Sequence, residues 1–159
     1  MPKARRSQVI AADRGAVWRV ISDPHHLPRW WPKVARVEDV YEHERGAGTS
    51  WTEVLETASG KGVRAEFRCR RSREPDEYEW EQEIENTPFE KVFATSVTTV
   101  RLDDAGTGTR VTLELDQDLR GLSKLGGFMV KRASGDQLDG ALNGLANVLN
   151  EREEDPGHG

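Results

Sequence analysis

Residues 62–85 read GVRAEFRCRRSREPDEYEWEQEIE, two alternating runs separated by Pro75-Asp76. In the first run Val63, Ala65, Phe67 and Cys69 point one way and Arg64, Glu66, Arg68 and Arg70 the other. In the second, Tyr78, Trp80, Gln82 and Ile84 alternate with Glu77, Glu79, Glu81, Glu83 and Glu85. A period of two is that of a strand with one covered face and one face in water. The opposite charges of the outer faces predict that the strands pair as a hairpin. A two-residue turn sets Arg70 opposite Glu81 and Arg68 opposite Glu83, each pair contributing roughly 0.2 to 1 kcal/mol. The apolar partners are thereby directed inward.

The same patterning extends in both directions. Upstream, Thr49 to Thr57 reads as a strand joined to the hairpin through Ala58-Ser59-Gly60-Lys61. Another strand begins at Val34, where Val34, Arg36 and Glu38 alternate with Ala35, Val37 and Asp39 before a Gly46-Ala47-Gly48 turn. Earlier still, Ser7-Gln8-Val9-Ile10 forms a first strand, and Asp13 can cap a short helix carrying Val17, Trp18, Val20 and Ile21. Asp23 and Pro24 repeat that start signal for a second short helix to about Trp30, which Pro32 ends.

Downstream, Val92 to Leu102 and Arg110 to Gln117 form a last hairpin across the turn at 103–108, with Val111, Leu113 and Leu115 on the covered side. The segment from about Leu122 to Asn150 carries Leu138, Ala141, Leu142, Leu145, Val148 and Leu149 in one helical stripe. Gly126-Gly127 is expected to delay or bend its start. The expected fold is α+β: a seven-stranded curved antiparallel sheet wrapped around a long C-terminal helix, with two short helices between strands 1 and 2. One helix cannot fill so much concave apolar wall, so a cavity is expected between helix and sheet.

At 159 residues and 35% hydrophobic content the chain can build one core without staples. A single domain over 1–150 is expected, followed by a polar flexible tail over 151–159. A net charge of -5 argues against nucleic acid, which needs a basic stripe. The basic residues are 17 Arg and 6 Lys, a bias that carries no functional argument. Cys69 stands alone and excludes an internal disulfide, and no apolar run follows Met1, so a cytoplasmic protein without a membrane segment is expected. Gly140 and Gly144 sit beside the stripe of the last helix, where a close-packed neighbour from another protomer or from the same chain would justify them. Oligomeric state is not legible.

The run Ala16-Val17-Trp18, Ser22-Asp23-Pro24 and Leu27-Pro28-Arg29-Trp30-Trp31-Pro32-Lys33-Val34 resembles the helical pair and following strand of bacterial polyketide-cyclase-like proteins. With the element order, it makes nearly the whole chain similar to the helix-grip fold of the START-like, or SRPBCC, superfamily. That resemblance implies a cavity and no particular ligand, because the superfamily includes lipid carriers, hormone receptors, cyclases, chaperone regulators and ribosome-associated toxins.

Parity places Phe67, Cys69, Tyr78, Trp80 and Gln82 inward, with Trp51, Glu53 and Ser96 or Thr98 beside them. They are either pocket wall or filled core. For Gln82 the pocket is the better reading, since a buried amide without a partner costs about 1 to 3 kcal/mol. Trp30 is expected to plug the end of the sheet and Trp31 to form the lip of the opening. Leu138, Leu142 and Leu145 are expected to face the ligand from the helix.

The expected function is binding of a hydrophobic or aromatic small molecule, lipid- or polyketide-like, with no cofactor. An alternative is a cyclase or dehydratase moving protons with Glu53, Arg71 or Tyr78, candidates because parity turns them inward. A second alternative is a protein-interaction module. No metal is expected at His25-His26, which share one turn without a second ligand pair, and Cys69 lacks a neighbouring base. The segments Gly46-Ala47-Gly48-Thr49 and Gly106-Thr107-Gly108-Thr109 precede strands and lack a lysine, so they are turns rather than phosphate loops.

Overall fold

Asp13 and Asp23 start the helical segment through their side chains. Asp13 accepts a 2.7 Å hydrogen bond from the Ala16 amide and opens α1 (Arg14–Ile21). Asp23 accepts one of 3.0 Å from the His25 amide and opens a 3₁₀ turn, Pro24–His26, that runs into α2 (Leu27–Trp30). These elements belong to a computed structural model in which residues 3–121 and 124–154 are described.

Seven strands follow the alternating segments: β1 (Lys3–Ile10), β2 (Val34–Tyr41), β3 (Ser50–Leu55), β4 (Val63–Arg73), β5 (Glu77–Glu83), β6 (Phe93–Asp104) and β7 (Thr109–Leu119). They form one sheet in the order β1-β7-β6-β5-β4-β3-β2, and each neighbouring pair is antiparallel. The long helix α3 (Lys124–Glu154) already includes Gly126 and Gly127, which therefore do not delay its start. Leu122 lies outside the described residues, as does the expected tail from residue 155 onward.

The β4–β5 hairpin pairs in a different register from the one a two-residue turn would set. Three residues, 74–76, connect the strands, and Arg68 faces Glu81 while Cys69 faces Trp80. A bulge between Cys69 and Arg71 adds one residue to β4. An extra residue leaves two successive side chains on one face. Arg71 is thereby turned outward, opposite Glu79, against the inward placement that strict alternation predicts. The expected ion pairs survive as looser contacts, Arg68 to Glu83 at 3.8 Å and Arg70 to Glu81 at 4.0 Å.

The stripe of α3 is buried along Leu138, Ala141, Leu142, Leu145, Val148 and Leu149, against Val17, Val20, Ile21, Leu27 and the inward residues of the sheet. Each such aliphatic side chain contributes roughly 1.5 to 3 kcal/mol by leaving water. Gly144 permits the crossing of α3 over α2, because a Cβ there would lie 2.5 Å from the Trp30 carbonyl oxygen. Gly140 similarly faces Pro32, so the close neighbour of both glycines is a segment of the same chain. Among the described residues no helix is long and apolar enough to cross a membrane.

Candidate functional site

Six strand and helix segments bring side chains to one pocket under α3. Glu53 and Leu55 come from β3, Phe67 from β4, Trp80 and Gln82 from β5, Ser96 and Thr98 from β6, Leu115 and Gln117 from β7, and Gln137 from α3; Trp31, just past α2, completes the wall. The pocket holds about 90 Å³. It lies at the foot of a larger groove of about 610 Å³ between the end of α2, β6, β7 and α3. Gln117 and Gln137 line both, so the pocket is the inner end of the groove.

Polar groups inside this apolar wall are only partly satisfied. Glu53 is 3% exposed, and its one hydrogen bond comes from the Trp51 indole N–H at 3.0 Å. Burial raises its carboxyl to about 7, an effect the indole bond opposes without cancelling. Glu53 is therefore close to half protonated at neutral pH and can give or take a proton. Gln117 donates from Nε2 to the Ser96 hydroxyl and accepts at Oε1 from the Ser134 hydroxyl, both at 3.2 Å, which ties β6 and β7 to α3. Gln82 Nε2 is buried without any partner.

Several expected site residues meet here: Trp31, Phe67, Trp80, Gln82, Ser96 and Glu53 all line the pocket. Trp51 stands behind it, stacked on Phe67 at 6.0 Å with its N–H on Glu53. Trp31 is not an exposed lip: it is 8% exposed and packs edge-on against Trp80 at 5.5 Å. Leu138, Leu142 and Leu145 are buried in the core away from both pocket and groove. The face of α3 toward the groove carries Val130, Ala133, Ser134, Gln137 and Gly140 instead.

Arg71 lies on the outer face, bonded to Glu77 at 2.8 Å. Cys69 is buried, its thiol pushed up by burial and directed at the Arg71 carbonyl oxygen, 3.4 Å away. Tyr78, two residues from Trp80, lines a separate cleft of about 350 Å³ with Trp18, Glu42, His43 and Ser72. Its hydroxyl, beside the Cys69 thiol, finds no hydrogen-bond partner of ordinary geometry.

Sequence reasoning missed Gln117, Gln137 and Ser134. Gln117 shares the parity of Leu113 and Leu115, so the strand period could have found it. Val130, Ala133, Ser134, Gln137 and Gly140 recur at helical spacing, a second stripe beside the leucines.

A family model described as polyketide cyclase / dehydrase and lipid transport matches residues 1–150. No curated protein matches the chain. Among solved structures, a START superfamily protein from Mycobacterium smegmatis aligns with a TM-score of 0.75 at 14% identity, over 94% of this chain and 97% of that one. A protein from Thermus thermophilus aligns with a TM-score of 0.70 at 25% identity, over 92% and 95% of the two chains. The di-domain ARO/CYC StfQ from the steffimycin biosynthetic pathway aligns with a TM-score of 0.78 at 13% identity; this chain is covered over 96% of its length and spans 52% of the di-domain. With its seven-stranded sheet, paired short helices and long C-terminal helix, the chain belongs to the polyketide cyclase / dehydrase and lipid transport family and has the START-like helix-grip fold.

Proposed function

We propose that residues 1–150 form one cytoplasmic ligand-binding domain that holds a hydrophobic or aromatic, lipid- or polyketide-like molecule in the groove beneath α3. Its polar end enters the pocket at Glu53 and Gln82. The observation that carries this reading is Gln82 Nε2, a buried donor with no partner at the inner end of an aromatic-walled groove. Such a group costs about 1 to 3 kcal/mol unless an occupant accepts from it. A ligand with an acceptor oxygen on an apolar body meets both demands, since apolar area supplies affinity and the isolated hydrogen bond sets orientation. Native mass spectrometry of the protein from its own host, before and after denaturation, tests it. A co-purifying hydrophobic molecule that Gln82→Leu no longer retains is the expected result. Repeatedly empty protein, with no binding of aromatic or acyl probes, would remove the reading.

A second reading is supported by the Glu53 carboxyl, raised to about 7 inside the same pocket. A group that titrates near the working pH suits general acid-base catalysis, such as proton movement in a cyclisation or dehydration. Of the three catalytic candidates, only Glu53 lines this pocket. The two readings separate on Glu53→Gln: a catalyst loses turnover and keeps ligand, whereas a carrier shows no turnover to lose.

A further inference from the structure

Away from the Gln82 pocket, the turn after α1 and the segment after β2 bring ligating groups together over the Tyr78 cleft. Asp23, His25 and Glu42 each offer one ligand atom, and these atoms all lie within 4.8 Å of one another. Two carboxylates held so close repel unless a cation lies between them. Arg45 lines the same cleft but forms no ion pair with either carboxylate among the described residues. His25 Nδ1 stands 2.8 Å from Asp23 Oδ1, so the histidine is already oriented by the acid.

A second, independent observation points into this place. Tyr78 is 2% exposed, its hydroxyl has no ordinary partner, and it lines the cleft together with Glu42. Burial foremost, with the charges of Asp23 and Glu42 among the further causes, keeps its phenol protonated, so it presents an O–H donor. Three of the four histidines of the chain gather in this region: His25, His26 with Nε2 3.7 Å from Asp23 Oδ2, and His43 in the cleft wall.

We propose that Asp23, His25 and Glu42 bind one first-row divalent cation, with Tyr78 donating a hydrogen bond to solvent in the cleft beneath it. The imidazole favours zinc and its neighbours over calcium or magnesium, which prefer all-oxygen ligands. Bound there, the ion ties the turn between α1 and α2 to the segment joining β2 and β3. It thereby fastens the helical plug to the end of the sheet. The inference is independent of the ligand reading, because none of its three ligands lines the Gln82 pocket.

The test is calorimetric titration of untagged full-length chain, stripped with a chelator, using zinc chloride and, separately, calcium chloride. One saturable equivalent of zinc is expected, with calcium at least tenfold weaker. Zinc affinity is expected to fall at least tenfold in both His25→Ala and Glu42→Gln, whose exposed positions leave the fold intact. A hundredfold excess over Kd should raise Tm by about 5 to 10 °C in the parent protein and not in His25→Ala. Absence of saturable zinc binding below about 1 mM would overturn the proposal. So would binding of unchanged affinity in both variants, which would assign the ion to other histidines.

Discussion

The two faces of β4 and β5 arise from the same alternating stretch, yet they treat charge in opposite ways. On the outer face Glu77 sits between Arg71 at 2.8 Å and Arg101 at 3.2 Å, and the Arg71 hydrogen bond foremost holds its carboxyl below the usual range. On the inner side Glu53 has one indole for company and its carboxyl is driven upward to about 7. Outside, charges are paired where pairing matters little; inside, polar groups go short of partners where shortage is expensive. An unpaired group that water could have satisfied means little, whereas one retained inside an aromatic wall calls for an occupant. The inner face therefore carries the functional argument.

The largest effect should come from removing the inner wall itself. Trp80 is 3% exposed and touches the rings of Trp31, Trp51 and Tyr78 at 5.5, 6.2 and 6.0 Å. Trp80→Ala should cost about 3 to 5 kcal/mol in urea denaturation, combining lost burial with a cavity that its neighbours only partly fill. A loss below about 1 kcal/mol would place Trp80 with the outer residues and undo the contrast between the faces.

Glu53 and Glu77 should give opposite pH responses. Between its ordinary value of 4.5 and its folded value of about 7, Glu53 keeps a proton in the folded chain that the unfolded chain has released. Stability therefore falls as pH rises through that window and levels off above it, by on the order of 3 kcal/mol in total. Glu77, shifted down, contributes stability that is present above the ordinary carboxylate value and lost as pH falls through its lower folded value. Together they put the stability maximum near about pH 5. Denaturation across pH 4 to 9 should show the decline toward neutrality, and Glu53→Gln should flatten that limb while keeping the acid limb. An unchanged limb in the variant would mean that water reaches the Glu53 carboxyl.

Gln82→Leu should uncouple stability from binding. Replacing an unpartnered amide by an apolar group of similar size should stabilise the empty protein by about 1 to 3 kcal/mol while weakening any ligand that accepts from Nε2. A destabilised variant would show that Gln82 has a partner in solution, an ordered water being the simplest.

How far this contrast could be read from sequence follows from which signals are local. Parity is local, so the sides taken by Phe67, Cys69, Tyr78, Trp80 and Gln82 were legible, as was the stripe from Leu138 to Leu149. Register depends on turn length and on where a bulge falls, and one extra residue at Arg70 sent Arg71 outward. The pocket required elements far apart in the chain: Gln117 and Gln137 matter because β7 and α3 converge beside Glu53. The leucine stripe proved to be core, and the groove follows the neighbouring face of α3, because the strongest apolar face is the one that packs. The ionisation of Glu53 was equally invisible, since it depends on the depth of burial rather than on parity alone.

The smallest predicted effect makes the sharpest control. Arg68 and Glu83 approach to 3.8 Å with side chains 57% and 45% exposed, so water competes for both charges. Arg68→Ala should cost only about 0.2 to 1 kcal/mol, and a double-mutant cycle with Glu83→Ala should return a coupling at the low end of that range. The coupling should fade as salt rises toward about 1 M, where the screening length shrinks to roughly 3 Å. The Glu53 response should persist under the same salt, because desolvation rather than a neighbouring charge sets it. If salt abolished the pH dependence on the inner side as well, Glu53 would be reporting long-range charge from the outer lattice, and the two faces would be one electrostatic system.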